Sequence, residues 1–131
     1  MHAILKRVDE AAVVVDCDLS YEFKRDIVDG DVEFVPIGPE IDAVCNANSA
    51  IDGLPHNAAG ILGNFLIVAT DAESGTTRDM TDEEIRKGLA YLERYKDVRH
   101  SGFGSALVSG PEGAELLAQW ARQMENVWNS L

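Results

Sequence analysis

Asn64-Phe65-Leu66-Ile67-Val68-Ala69 is a short, unbroken apolar run behind a polar residue, preceded by Gly63 and followed by the polar stretch Asp71 to Thr77. A run of this length and composition, bounded by turn residues, predicts the clearest buried strand in the chain.

Outward from that strand, Thr81-Asp82-Glu83-Glu84 has the form of a capping box, in which a hydroxyl and a carboxylate satisfy the free amides of a helix start. Ile85, Leu89 and Leu92 follow on one face, predicting a helix to about Lys96. On the other side, Val32-Glu33-Phe34-Val35-Pro36-Ile37 predicts a strand ended by Pro36 and Gly38-Pro39, and Ala43 to Asn46 a second. Val13-Val14-Val15, within Ala11 to Cys17, predicts another, with His2 to Leu5 as a short strand or a frayed end. Leu19, Phe23 and Ile27 recur at helix spacing behind Asp18 as cap, and Asp29-Gly30 closes that helix. Ser109-Gly110-Pro111-Glu112 repeats a capping pattern before Leu117, Trp120, Met124, Val127 and Leu131, an apolar stripe that also carries Trp128. The expectation is α+β: a small, mainly antiparallel sheet packed against two or three helices, as one domain over residues 1–131.

The chain has 131 residues, 46% hydrophobic and 26% charged, an ordinary globular balance. Its longest apolar stretch, Ile61 to Ala69, is interrupted at Gly63 and Asn64 and is far below bilayer length, so no membrane association is expected. The N-terminal segment lacks the order of a secretory signal, and two widely spaced cysteines, Cys17 and Cys45, read as reduced thiols; both point to the cytoplasm.

The charge is unusual: 23 acidic against 11 basic residues, a net −12. No basic residue falls between Arg25 and Arg78, where Asp26, Asp29, Asp31, Glu33, Glu40, Asp42 and Asp52 lie. Such a field repels phosphate backbones and attracts cationic surfaces, so direct nucleic-acid binding is disfavoured and a basic protein partner is expected at those seven carboxylates. Acidity that serves solubility alone is the plainer reading of the same numbers.

Catalytic patterns are weak. His2, His56 and His100 show no metal-ligand spacing, and Asp26-Asp29-Asp31-Glu33 lacks the loop of a calcium site, so no metal and no cofactor is implied. Cys45 with His56, or Ser101 or Ser105 with His100, would need spatial pairing that sequence does not supply. Gly102-Phe103-Gly104 with Arg99 is a lone glycine pair without a phosphate-loop lysine. No catalytic residue is assigned.

Several segments together resemble a known family: Val32 to Pro36, Asp42 to Asn46, Gly53-Leu54-Pro55-His56-Asn57-Ala58-Ala59, Ile61-Leu62-Gly63-Asn64 leading into the apolar strand, and Met80-Thr81-Asp82-Glu83-Glu84. This is similar to the domain of unknown function numbered 3846, over about residues 11–97, with 98–131 a loop and C-terminal helix outside it. The family's acidic-glycine-lysine turn is replaced here by Asn46-Ala47-Asn48-Ser49-Ala50. Carried over by the motif are Gly53, Leu54, Pro55, Asn57, Gly63 and Asn64, which read as turn-makers. The resemblance implies no chemistry, but it implies a setting in phages, plasmids and gut-bacterial mobile elements. The leading expectation is therefore a non-enzymatic acidic protein that docks a basic surface, one version being a nucleic-acid mimic that blocks a host defence enzyme. The alternatives are a small-ligand binder or enzyme using the loop 46–57 with His56, and a homo-oligomer joined through the C-terminal helix.

Overall fold

The computed structural model describes residues 1–98 and 111–131. The readings at Arg99, His100, Ser101, Gly102-Phe103-Gly104, Ser105 and Ser109-Gly110 lie outside the described residues.

The strands are β1 (His2–Lys6), β2 (Val13–Asp16), β3 (Val32–Gly38), β4 (Ile41–Asn46), β5 (Phe65–Thr70) and β6 (Thr77–Arg78). The helices are α1 (Tyr21–Val28), α2 (Asp82–Arg94) and α3 (Pro111–Asn129). The sheet runs β2-β1-β5-β4-β3, every pairing is antiparallel, and β6 joins the end of β5. The fold is α+β.

β5 is the central strand, and the residues from Phe65 to Ala69 are fully buried. Phe65, Ile67 and Ala69 join Ile4, Ile37, Ile41 and Ala43 in a core closed by Tyr91 and Leu92 of α2 and Met124 and Trp128 of α3. Leu66 and Val68 point the other way, into a smaller core with Ala3, Leu5, Val44 and Val28 of α1. The alternation of a strand thus feeds two cores, which explains an apolar run without period. Each large side chain buried there contributes about 2 kcal/mol of transfer free energy.

Three local expectations change. His2–Lys6 is a full strand between β2 and β5, because its partners are distant in sequence and leave no local signature. α1 starts at Tyr21 with Ser20, not Asp18, as cap: Ser20 Oγ accepts from Phe23 N–H at 3.1 Å, while Leu19 is buried ahead of the helix. The most buried α1 residues are Lys24 and Val28, with Phe23 and Ile27 at the margin, so the stripe is rotated from Leu19, Phe23 and Ile27. A lysine can occupy that position because its aliphatic stem covers apolar surface.

The capping box at α2 is complete, with Glu84 N–H to Thr81 Oγ1 at 3.2 Å and Thr81 N–H to Glu84 Oε1 at 3.0 Å. Arg78 grips the same carboxylate with two bonds of 2.8 Å, and the Glu84 carboxyl is held below its usual range. Pro36 stands in an edge strand beside a bulge, and its carbonyl accepts from Trp120 Nε1 at 3.1 Å. Both cysteines are free thiols. Among the described residues no helix is long and apolar enough to cross a membrane.

Candidate functional site

The chain from Val8 to Thr77 contains two Lys or Arg residues, Lys24 and Arg25, both on α1. Lys24 turns inward. It is 7% exposed, its ammonium donates to Thr77 Oγ1 at 2.6 Å and sits 5.3 Å from the Phe34 ring centre, and burial pulls its pKa down. Among the described residues no carboxylate lies within ion-pair distance of it. Arg25 is taken up by Asp31 at 3.6 Å. Asp18, Glu22, Asp26 and Asp29 therefore stand exposed on the α1 layer without an ion-pair partner among the described residues. Tyr21 is 54% exposed on the same helix and Phe34 is 45% exposed beside the Lys24 ammonium, so aromatic surface adjoins the uncompensated charge.

The seven carboxylates expected to form one face are divided. Asp26 and Asp29 lie together at the end of α1, where Asp29 adopts the left-handed conformation that closes the helix, and Asp31 follows with its arginine. Asp52 lies in the turn that leaves β4, which is tied to Asp31 through Ala47 N–H at 2.8 Å. Glu33 alternates with Val35 and Ile37 onto the face covered by α3, where burial raises its pKa. Asp42 lies on the α1 face but accepts the Thr70 hydroxyl at 2.8 Å. Glu40 accepts Ala72 N–H and pairs with Arg78 at 3.6 Å. The sheet separates Glu33 from Asp42 and the α1 carboxylates, a division that residue spacing alone does not reveal.

Elsewhere Arg78 pairs with Glu84 and Glu40, Arg86 with Glu83 and Lys96 with Glu93, while Lys6, Arg7, Lys87, Arg94 and Arg122 form no ion pair among the described residues. What sequence reasoning missed is the withdrawal of both α1 cations, together with Asp18, Glu22, Tyr21 and Phe34 as members of the surface. The available signal was Lys24 at four residues before Val28, a spacing that places both on one side of a helix.

The loop between β4 and β5 is tied to the backbone. Asn46 Nδ2 donates to the carbonyls of Val28 and Asp29, capping the end of α1, and Asn46 Oδ1 accepts Asn48 N–H. Asn57 is buried; its Nδ2 donates to the carbonyls of Lys6 and Gly63, and its Oδ1 accepts Lys6 Nζ and Ala58 N–H. Pro55 carbonyl accepts Gly63 N–H at 2.7 Å, and Asn64 Oδ1 accepts Val8 N–H at 2.9 Å. Gly63 has φ of +78° and Leu54 packs where a side chain would stand. Gly53 also has positive φ, at +66°. His56 is exposed and forms a backbone bridge to Leu62. The motif residues thus build a hydrogen-bonded knot that fastens the loop to the end of β1, and their polar atoms are committed to it. Cys45 is buried, its thiol pushed up to about 12 by burial and then by Glu33, which removes it from nucleophilic chemistry near neutral pH.

A family model described as Domain of unknown function (DUF3846) matches residues 1–96. The chain belongs to this family. No curated protein matches it significantly, and no solved structure does. The DUF3846 span begins at Met1 rather than near residue 11, in keeping with β1 as an inner strand of the sheet. It takes in all six strands, α1, α2 and the asparagine knot; α3 lies beyond it.

Proposed function

We propose that the protein is a non-enzymatic binding module whose α1 layer docks a basic protein surface. The observation that carries this reading is the removal of both α1 cations, Lys24 into the interior and Arg25 onto Asp31, which leaves Asp18, Glu22, Asp26 and Asp29 uncompensated. Carboxylates so arranged, beside exposed Tyr21 and Phe34, combine long-range attraction with aromatic contact area. Within this reading, the partner is a protein that binds nucleic acid, and the carboxylates stand in for phosphates at its Lys/Arg groups. A role against host defence enzymes, in a mobile-element setting, is the biological form of the same proposal, with the cytoplasm as its location.

The test is capture from host lysate by immobilised protein, with the parent compared to a variant carrying Asp18→Lys, Glu22→Lys, Asp26→Lys and Asp29→Lys. Recovery of a basic nucleic-acid-binding protein that salt releases, and its loss in the equally folded variant, supports the proposal. Identical recovery by both proteins overturns it.

A further inference from the structure

β2 is the outer strand of the sheet at the end opposite β3, with β1 its partner on one side and no strand on the other among the described residues. Its register against β1 pairs Ile4 with Val14 and Ala3 with Val15, and Cys17 N–H donates to the Met1 carbonyl at 3.0 Å. In an antiparallel ladder, hydrogen-bonded pairs alternate with pairs whose groups point away. Val13, Val15 and Cys17 therefore spend their backbone groups on β1, and Val14 and Asp16 turn theirs outward.

The side chains add to this. Val15 faces the α1 core while Val14 lies on the face of Ile4, and Val13 and Val14 are 47% and 45% exposed. Both faces of the edge thus offer half-covered β-branched surface at one place, which is the footprint that one added strand would cover. Natural edge strands are commonly protected by lysine, proline or a bulge. The β3 edge has proline and a bulge, whereas Val13-Val14-Val15 has none of these.

The ends of the open edge are acidic. Asp9 and Glu10 are exposed at the turn before β2, and Asp18 is exposed just after it. Asp16 already meets the Met1 amine at 3.1 Å and contributes less.

We propose that the β2 edge receives an extended segment of a partner protein, with alternating β-branched residues at its centre and Lys or Arg at both ends, by β-strand addition. The occupant follows from charge. A second copy paired antiparallel about Val14 would set Glu10 opposite Asp18 twice, and like charges directly opposed destabilise a ladder. A basic-ended segment satisfies the same backbone groups and meets carboxylates at each end. This surface shares Asp18 with the exposed α1 carboxylates and is otherwise separate from them, and the inference stands without that docking mode.

The probe is a synthetic acetylated, amidated peptide, Lys-Arg-Val-Thr-Val-Thr-Arg-Lys, followed by fluorescence anisotropy and by amide hydrogen exchange of the full chain. The expected result is saturable binding and a slowing of exchange by about tenfold or more at Val14 and Asp16, with a smaller change at Val13 and Val15, which are already bonded to β1. Val14→Pro, which removes an outward N–H and leaves the β1 ladder intact, is expected to weaken binding about tenfold. A peptide with Glu at the four basic positions is expected not to bind. The charge reversals on α1 at Glu22, Asp26 and Asp29 leave this binding in place, which separates it from the docking proposal. Unchanged exchange at Val14 and Asp16 under saturating peptide overturns the inference. So does equal binding of the Glu peptide, and so does peptide-free protection at Val14 that rises with protein concentration, which would assign the edge to a second copy.

Discussion

Gly38 lies under Trp128: a Cβ built on that glycine would stand 2.6 Å from the Cγ and Cδ2 atoms of the indole ring. α3 therefore reaches β3 because position 38 has no side chain, and the 3% exposed indole closes the larger core at the place where the glycine leaves room.

Gly38→Ala is expected to destabilise the fold by about 1–3 kcal/mol through overpacking. Urea unfolding followed by tryptophan fluorescence measures it. The same substitution in a Trp128→Ala background should cost less, because the obstruction is gone; additive losses would argue against the contact.

Asn57→Ala strips both hydrogen-bond donors from the Lys6 and Gly63 carbonyls and an acceptor from Ala58 N–H. The expected loss is about 2–4 kcal/mol, large for a loop residue, and is read from the denaturation midpoint.

Lys24→Met replaces a buried ammonium with a stem of similar shape. Burial lowers the Lys24 pKa in the folded state, so the unfolded chain holds this proton more tightly, and stability rises with pH as pH climbs from the folded value toward the unfolded 10.5. The variant lacks that rise. Near neutral pH it is expected to melt above the parent, the difference shrinking as pH increases; thermal melts of both proteins across that range check it.

Glu33 behaves with the opposite sign. Its pKa is raised by burial, so the stability tied to this group is complete below about 4.5 and lost as pH climbs through the folded value. Glu33→Gln should flatten that decline. It should also bring the Cys45 pKa down from about 12, since Glu33 is the second cause of its elevation. Thiol titration of native protein should find Cys17 reacting well before Cys45, and Cys45 reacting sooner in the Glu33→Gln variant.

Where burial and capping are local, residue patterns carried the structure. The run at Phe65 to Ala69 and the box at Thr81 to Glu84 needed only neighbours in sequence to be read. The stripe at Leu19, Phe23 and Ile27 failed for a related reason: Leu19 looked like its start, and which residues of α1 are covered depends on where the helix meets the sheet. His2–Lys6 became an inner strand through partners at Val13–Asp16 and Phe65–Ile67, which no local period encodes. The acidic set was legible as composition and not as a surface. Strand alternation sent Glu33 to the far side, and ion pairing took Glu40 and Asp31 out of the free charge.

The bond from Trp120 to the Pro36 carbonyl has an effect at the scale of many molecules. A proline, a bulge and an indole interrupt the ladder at the Pro36–Gly38 end of the β3 flank, whereas the β2 flank carries no such interruption. An interrupted ladder on one flank works against copies joining flank to flank, which biases the protein toward one guest per chain and away from a ribbon.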